Sequence, residues 1–197
     1  MNLLMNRFLL AFSLLLAMGC ATKYNLIEPL TLDFGAPPAT LADSDVEIAW
    51  RYDVLNNAGN RSYAQKELRN RVSLLAVLIK NPSADTLYFP ENFLILSKMD
   101  TLSVLTMEES YYALCQDVVE KPMGENGGFE LDAPWINFFG GAYNLVTEVK
   151  ANTRFVKELN TYYLLPSVIA PRETVVGLIG LPVKQGTPLR FVVSHGR

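Results

Sequence analysis

Two cysteines and a single histidine stand in a chain of 197 residues. So few soft ligands leave no room for a Cys/His zinc site, an iron–sulfur centre or a disulfide framework, and no metal or cofactor is expected. Charge is sparse as well. The 17 basic and 20 acidic residues give a formal net charge of −3, with the cations scattered, so the basic patch of a nucleic-acid binder is missing. G-x-S-x-G, H-E-x-x-H, C-x-x-C, a Walker loop and G-x-G-x-x-G do not occur. A Ser-His-Asp or Cys-His device would have to use His195, close to a chain end of the kind that frays. No stretch reaches the roughly 20 apolar residues of a bilayer span, so no transmembrane helix is expected. What the chain does have is apolar bulk. Half of it is hydrophobic and 19% is charged, too apolar for disorder and of a length that suits one domain.

Residues 1–20 read MNLLMNRFLLAFSLLLAMGC. Arg7 precedes Phe8–Met18, an 11-residue run in which Ser13 is the one polar member. That length suits the apolar region of a signal peptide. The run ends in Leu16, Ala17, Met18, Gly19 and Cys20, which resembles a bacterial lipobox, with Ala17 where leucine is usual and Leu16 one place earlier. The resemblance implies a signal peptide over 1–19 and cleavage before Cys20, where a small residue must fit the peptidase. It also implies diacylglycerol on the Cys20 thiol and two or three acyl chains in all, which make an effectively permanent anchor. Ala21 is not aspartate, which by the same analogy favours the outer membrane. Cys115 then has no second cysteine for a disulfide and reads as a small buried hydrophobe.

Residues 21–44, with Pro29, Gly35, Pro37 and Pro38, read as a tether that spans at most about 80 Å when extended. The alternative is that Leu26–Phe34 packs as an edge strand. A domain is expected over 45–197. Val46, Ile48, Trp50, Tyr52 and Val54 alternate with more polar residues, the pattern of a half-buried strand with Trp50 on its core face. Asn56–Asn60 reads as a turn, and Tyr63–Asn70 as a short helix or a strand extension. Val72–Ile79 is apolar on both parities and reads as a central strand. Asn81–Asp85 reads as a turn, Leu87–Phe89 and Phe93–Leu96 as strands parted at Pro90, and Asp100–Leu105 as another.

A helical insertion is expected over about 106–160. Thr106 and Glu109 fit a capping box opening a helix over Met107–Val119, with Tyr111, Leu114 and Val118 on one face. Lys121–Pro134 reads as a loop. Ala142–Asn160 reads as a helix with Tyr143, Val146, Val149, Val156 and Leu159 on one face; two strands are the alternative. Thr174–Leu181 and Leu189–Val193 read as strands. Leu165 to Gly177 reads Leu-Pro-x-x-Ile-x-Pro-x-Glu-x-x-x-Gly, which resembles the late strands of Ig-like domains in bacterial surface lipoproteins, where glycine often stands at the position of Arg172. The fold class is therefore expected to be mainly β, an antiparallel Ig-like sandwich carrying the helical insertion.

The acids offer no obvious pair. Asp43, Asp45 and Glu47 lack a loop that would return the chain around an ion. Glu108 and Glu109 suit a helix start, Asp117 and Glu120 read as surface, and Glu130 and Asp132 flank a Gly-rich loop. Trp135, Phe138, Phe139, Tyr143, Tyr162 and Tyr163 gather around Gly140-Gly141; such aromatics read first as core, and Trp135, Phe138, Phe139 and Tyr143 are the candidate ligand-binding residues if they form a contact patch. Thr86 and Thr101 stand in Asp-Thr-Leu triplets that resemble a pattern some bacteria O-glycosylate on exported proteins. The leading expectation is a non-catalytic envelope lipoprotein, anchored through Cys20, serving as an accessory or assembly subunit with an envelope protein as partner. A lipoprotein that presents a glycan or small ligand to a transporter comes next. An anchored hydrolase using carboxylates comes last.

Overall fold

The computed structural model describes residues 23–35, 39–41, 44–98, 100–116 and 141–193. In chain order the strands are β1 (Ala39–Thr40), β2 (Glu47–Arg51), β3 (Ser73–Lys80), β4 (Leu87–Phe89), β5 (Phe93–Ser97), β6 (Asp100–Leu102), β7 (Ser167–Ile169), β8 (Thr174–Leu181) and β9 (Arg190–Val193). The helices are α1 (Val54–Asn57), α2 (Arg61–Asn70), α3 (Met107–Leu114) and α4 (Gly141–Tyr162). The named strands pair antiparallel, in a four-stranded sheet β1-β2-β3-β8, a three-stranded sheet β6-β5-β9 and the pair β4-β7.

The unbroken apolar run of β3 follows from its position. Leu75, Val77 and Ile79 face one core with Ile48, Ile179, Phe89, Phe93, Ile95 and Phe191. Leu74 and Ala76, on the other parity, face a second core with Tyr63, Leu114, Phe155 and Leu159. A strand buried on both faces has no reason to alternate. Helices cover the second face, and about as many described residues are helical as extended. That corrects the expectation of a mainly β chain, because α1 and α2 add helix well before the expected insertion.

Several elements differ from the sequence pattern. The alternation read over 46–54 stops at Arg51, since Asp53 takes a φ of 61° and turns the chain into α1. Val54 is thus buried from a helix, and the expected turn at 56–60 is shifted to Ala58-Gly59. Trp50 is half-buried rather than central, its ring 5.0 Å from that of Phe191. Residues 61–70 are helical, and the capping box at Thr106 and Glu109 forms as read. Its helix is shorter than expected, ending at Leu114 as Cys115 becomes extended. Cys115 itself is half-buried, not buried, with its thiol 3.9 Å from the Tyr112 carbonyl. The helix reading of 142–160 holds over Gly141–Tyr162, and its face holds in part: Leu159 is buried and Val156 half-buried as expected, Val149 is exposed, Ala151, Asn152, Phe155 and Glu158 are buried as well, and the side chains of Tyr143 and Val146 lie outside the described residues.

Residues 23–35 are not a free tether. Tyr24 and Ile27 are buried in the helical core, Pro29–Thr31 forms a 3-10 turn, and Ala39–Thr40 pairs with β2 as the edge strand. The edge pairing therefore lies further along than the Leu26–Phe34 alternative placed it.

The Leu165–Gly177 stretch has local reasons for its residues. Glu173 accepts the Ala170 N–H at 2.6 Å, closing the turn into β8. Arg172 has a φ of 62°, the left-handed region that glycine enters at least cost, at the position where the resembling domains often have glycine. Gly177 lets the end of α4 lie against β8: a Cβ there would overlap the Tyr162 carbonyl oxygen and the Leu164 side chain. Gly177→Ala is expected to lower stability by about 3 kcal/mol, the upper end of an overpacking penalty, and urea denaturation checks it.

Candidate functional site

The densest polar arrangement among the described residues is where the N-terminal segment meets α2 and α4. Tyr24 packs its ring 5.0 Å from Tyr63 and 5.3 Å from Phe155, and Tyr63 lies 4.9 Å from Phe155. Such aromatic contacts contribute about 0.5–1.5 kcal/mol each beyond area burial. Glu158, one step round α4 from Phe155, is 3% exposed. Its Oε2 accepts the Tyr24 hydroxyl, and its Oε1 accepts the N–H groups of Ile27 (2.7 Å) and Glu28 (3.0 Å). Burial first, and the Glu158 charge second, hold the Tyr24 phenol protonated far above its ordinary range.

Asn60, at the N-cap of α2, treats Asn25 as a strand would. Its Oδ1 accepts the Asn25 N–H at 2.8 Å and its Nδ2 donates to the Asn25 carbonyl at 2.7 Å. Asn152 does the same for Gln116, accepting its N–H (3.0 Å) and donating to its carbonyl (3.0 Å), while Tyr63 donates to the same Oδ1 at 2.9 Å. A third node is Tyr163, whose hydroxyl accepts the Gly180 N–H (2.9 Å), donates to the Leu105 carbonyl (2.8 Å) and lies 2.5 Å from Ser110 Oγ. Together these bonds seat the N-terminal segment, residue 116 and α3 on the helical core.

Glu67 differs from Glu158, Asn60 and Asn152. Its Oε1 accepts the Leu74 N–H at 2.7 Å, while its Oε2 is buried with no hydrogen-bond partner. Burial pushes its carboxyl up to about 7, against a partial lowering by the Leu74 N–H and a further rise from Asp53.

The carboxylate of Glu158 and the amides of Asn60 and Asn152 are committed to the protein's own donors and acceptors. The chemistry of these three side chains is therefore fastening: they hold chain. No group of three His, Cys, Asp or Glu converges among the described residues, and no described helix is long and apolar enough to cross a membrane.

The residues singled out by sequence fall elsewhere. Thr86 and Thr101 are both exposed, as are Asp85 and Asp100 beside them. Glu47 pairs with Lys80 at 3.0 Å on the surface, and Asp45 is exposed, so these two acids are solvated. Glu108 and Glu109 are exposed at the start of α3, where the Thr106 N–H draws the Glu109 carboxyl below its usual range. Tyr162 and Tyr163 pack against the helical core. Cys20, Asp43, Asp117, Val118, Glu120, Glu130, Asp132, Trp135, Phe138, Phe139 and His195 lie outside the described residues, as does the side chain of Tyr143.

Sequence reasoning missed Tyr24, Asn60, Glu67, Asn152 and Glu158. A helical stripe at 151, 155, 158, 159 and 162 is visible once polar residues are admitted to the buried face, and that is the one signal that would have found Glu158. No family model, curated protein or solved structure matches this chain.

Proposed function

We propose that this chain is a lipoprotein of a bacterial cell envelope, fixed to the outer membrane through acylated Cys20, and that it acts as a non-catalytic accessory or assembly subunit of an envelope complex. The observation that carries the reading is the Leu16-Ala17-Met18-Gly19-Cys20 run behind an apolar stretch of signal-peptide length. The absence of motif chemistry in the sequence and the fastening role of the buried polar groups support a part that holds position. We also read the β-layers as an Ig-like sandwich. β2, β3 and β8 lie side by side, β6, β5 and β9 lie side by side, and the two groups share one apolar core. The chain thus visits the first sheet, the second, the first again and the second again, the order of an Ig-type Greek key.

Cys20→Ser is expected to abolish palmitate labelling and processing at that position; undiminished labelling of the variant would overturn the anchor. For the assembly role, the native acylated protein is solubilised in mild detergent and its co-purifying proteins identified. A stoichiometric envelope protein is expected, and a chain that purifies alone speaks against a subunit.

A further inference from the structure

We infer that the stretch Lys23–Thr31 is a membrane-docking edge, with Leu26 and Leu30 seated in the interfacial layer of the phospholipid leaflet that holds Cys20. The inference rests on the lipoprotein reading and adds which surface of the domain meets the lipid.

The stretch has two sides. Tyr24, Ile27 and Pro29 are turned into the domain, while Leu26 is 55% and Leu30 68% exposed. These leucines do not belong to a frayed end. The backbone between them is fixed by the Glu158 carboxylate through the N–H groups of Ile27 and Glu28, and the backbone before them by Asn60 through both polar groups of Asn25. The segment thus holds two large aliphatic side chains on a fixed backbone; exposed leucines need no partner by themselves, and it is the nearness of Cys20 that supplies one here.

The length of chain before the segment identifies that partner. Cys20 and Tyr24 are four peptide steps apart, a reach of at most about 14 Å even when fully extended. The polar zone of one leaflet is itself roughly 5–8 Å deep. Tyr24 is therefore bound to lie near the headgroups, and Leu26 follows two residues later on the side facing away from the core. Lys23, exposed and next to the acylated end, suits the phosphates of that layer. Glu28 is the one acid in the stretch, exposed at the turn between the two leucines. The geometry gives the domain a fixed posture against the bilayer, unlike the swinging particle that a long tether would permit.

The test uses the full-length acylated protein in a Cys115→Ala background, reconstituted into phosphatidylethanolamine–phosphatidylglycerol vesicles. Single cysteines at 26, 30 and 168 carry an environment-sensitive fluorophore. Val168 is a fair control because it is 61% exposed on β7, in the sheet pair on the far side of the central sheet from Tyr24. Mass spectrometry first reads acylation at Cys20. With acylation present, a lipid carrying a nitroxide high on its acyl chain is expected to quench positions 26 and 30 at least about twofold more than position 168. Equal quenching at all three, or none at 26 and 30, overturns the docking edge and leaves the lipoprotein reading standing. A chain without lipid at Cys20 overturns both.

Discussion

Raising the pH from about 5 to about 8 is expected to remove about 2–3 kcal/mol more stability from the native protein than from a Glu67→Gln variant. Glu67 is 1% exposed, one of its oxygens has no partner, and its carboxyl titrates near about 7 instead of the ordinary 4.5. The folded state thus binds this proton more tightly than the unfolded state does. Between the two values the folded chain keeps the proton and the unfolded chain has lost it, so stability falls with every increment of pH. Below 4.5 both states are protonated and the contribution is fully present; above about 7 it is gone. Glutamine keeps an oxygen for the Leu74 N–H and carries no charge to bury, so the variant lacks this slope. Urea melts of both proteins across the pH range check it, and parallel stability curves would show that the Glu67 carboxyl is solvated.

Removing the Glu158 carboxylate is the second large effect. Glu158→Ala leaves the Tyr24 hydroxyl and the Ile27 N–H buried without an acceptor, each at about 1–3 kcal/mol, and opens a cavity beneath the segment. A loss of about 4 kcal/mol is expected if the segment stays docked. If the segment detaches on its own, the global loss is capped at its docking free energy, and the difference appears locally. Amide hydrogen exchange at Ile27 and Glu28 separates the two cases: exchange there rises to that of an open segment while β3 keeps its protection. Unchanged exchange at both amides with unchanged stability would mean that the carboxylate does not hold the segment.

The parts of the fold that were legible in the sequence are those governed by apolar pattern and local chemistry. β3 announced itself because both of its faces are covered, and the Thr106–Glu109 box because two side chains and two N–H groups satisfy each other locally. What stayed hidden depended on partners distant in the chain. Nothing in residues 23–31 is periodic, and Tyr24 and Ile27 are held by a glutamate more than 130 positions away. The buried face of α4 was legible only in part for the same reason, with Leu159 found and Asn152 and Glu158 missed. Asn152 and Glu158 look like surface residues until Gln116, Tyr24 and Ile27 supply their hydrogen bonds, and Val149 looks like core but is exposed. Asp53 ended the strand early through a single backbone angle, which composition does not encode.

The pair β3–β8 is the common wall of both cores, and this sets how the protein comes apart. Leu75 and Leu74 are neighbours in one strand yet belong to opposite cores, as do Ile179 and Leu178 across from them. Neither core can lose its packing without stripping one face of the strands that the other still needs. Loss is therefore cooperative between the two cores, and a single heat-absorption peak, with calorimetric and van't Hoff enthalpies in agreement, is the thermal behaviour this architecture dictates.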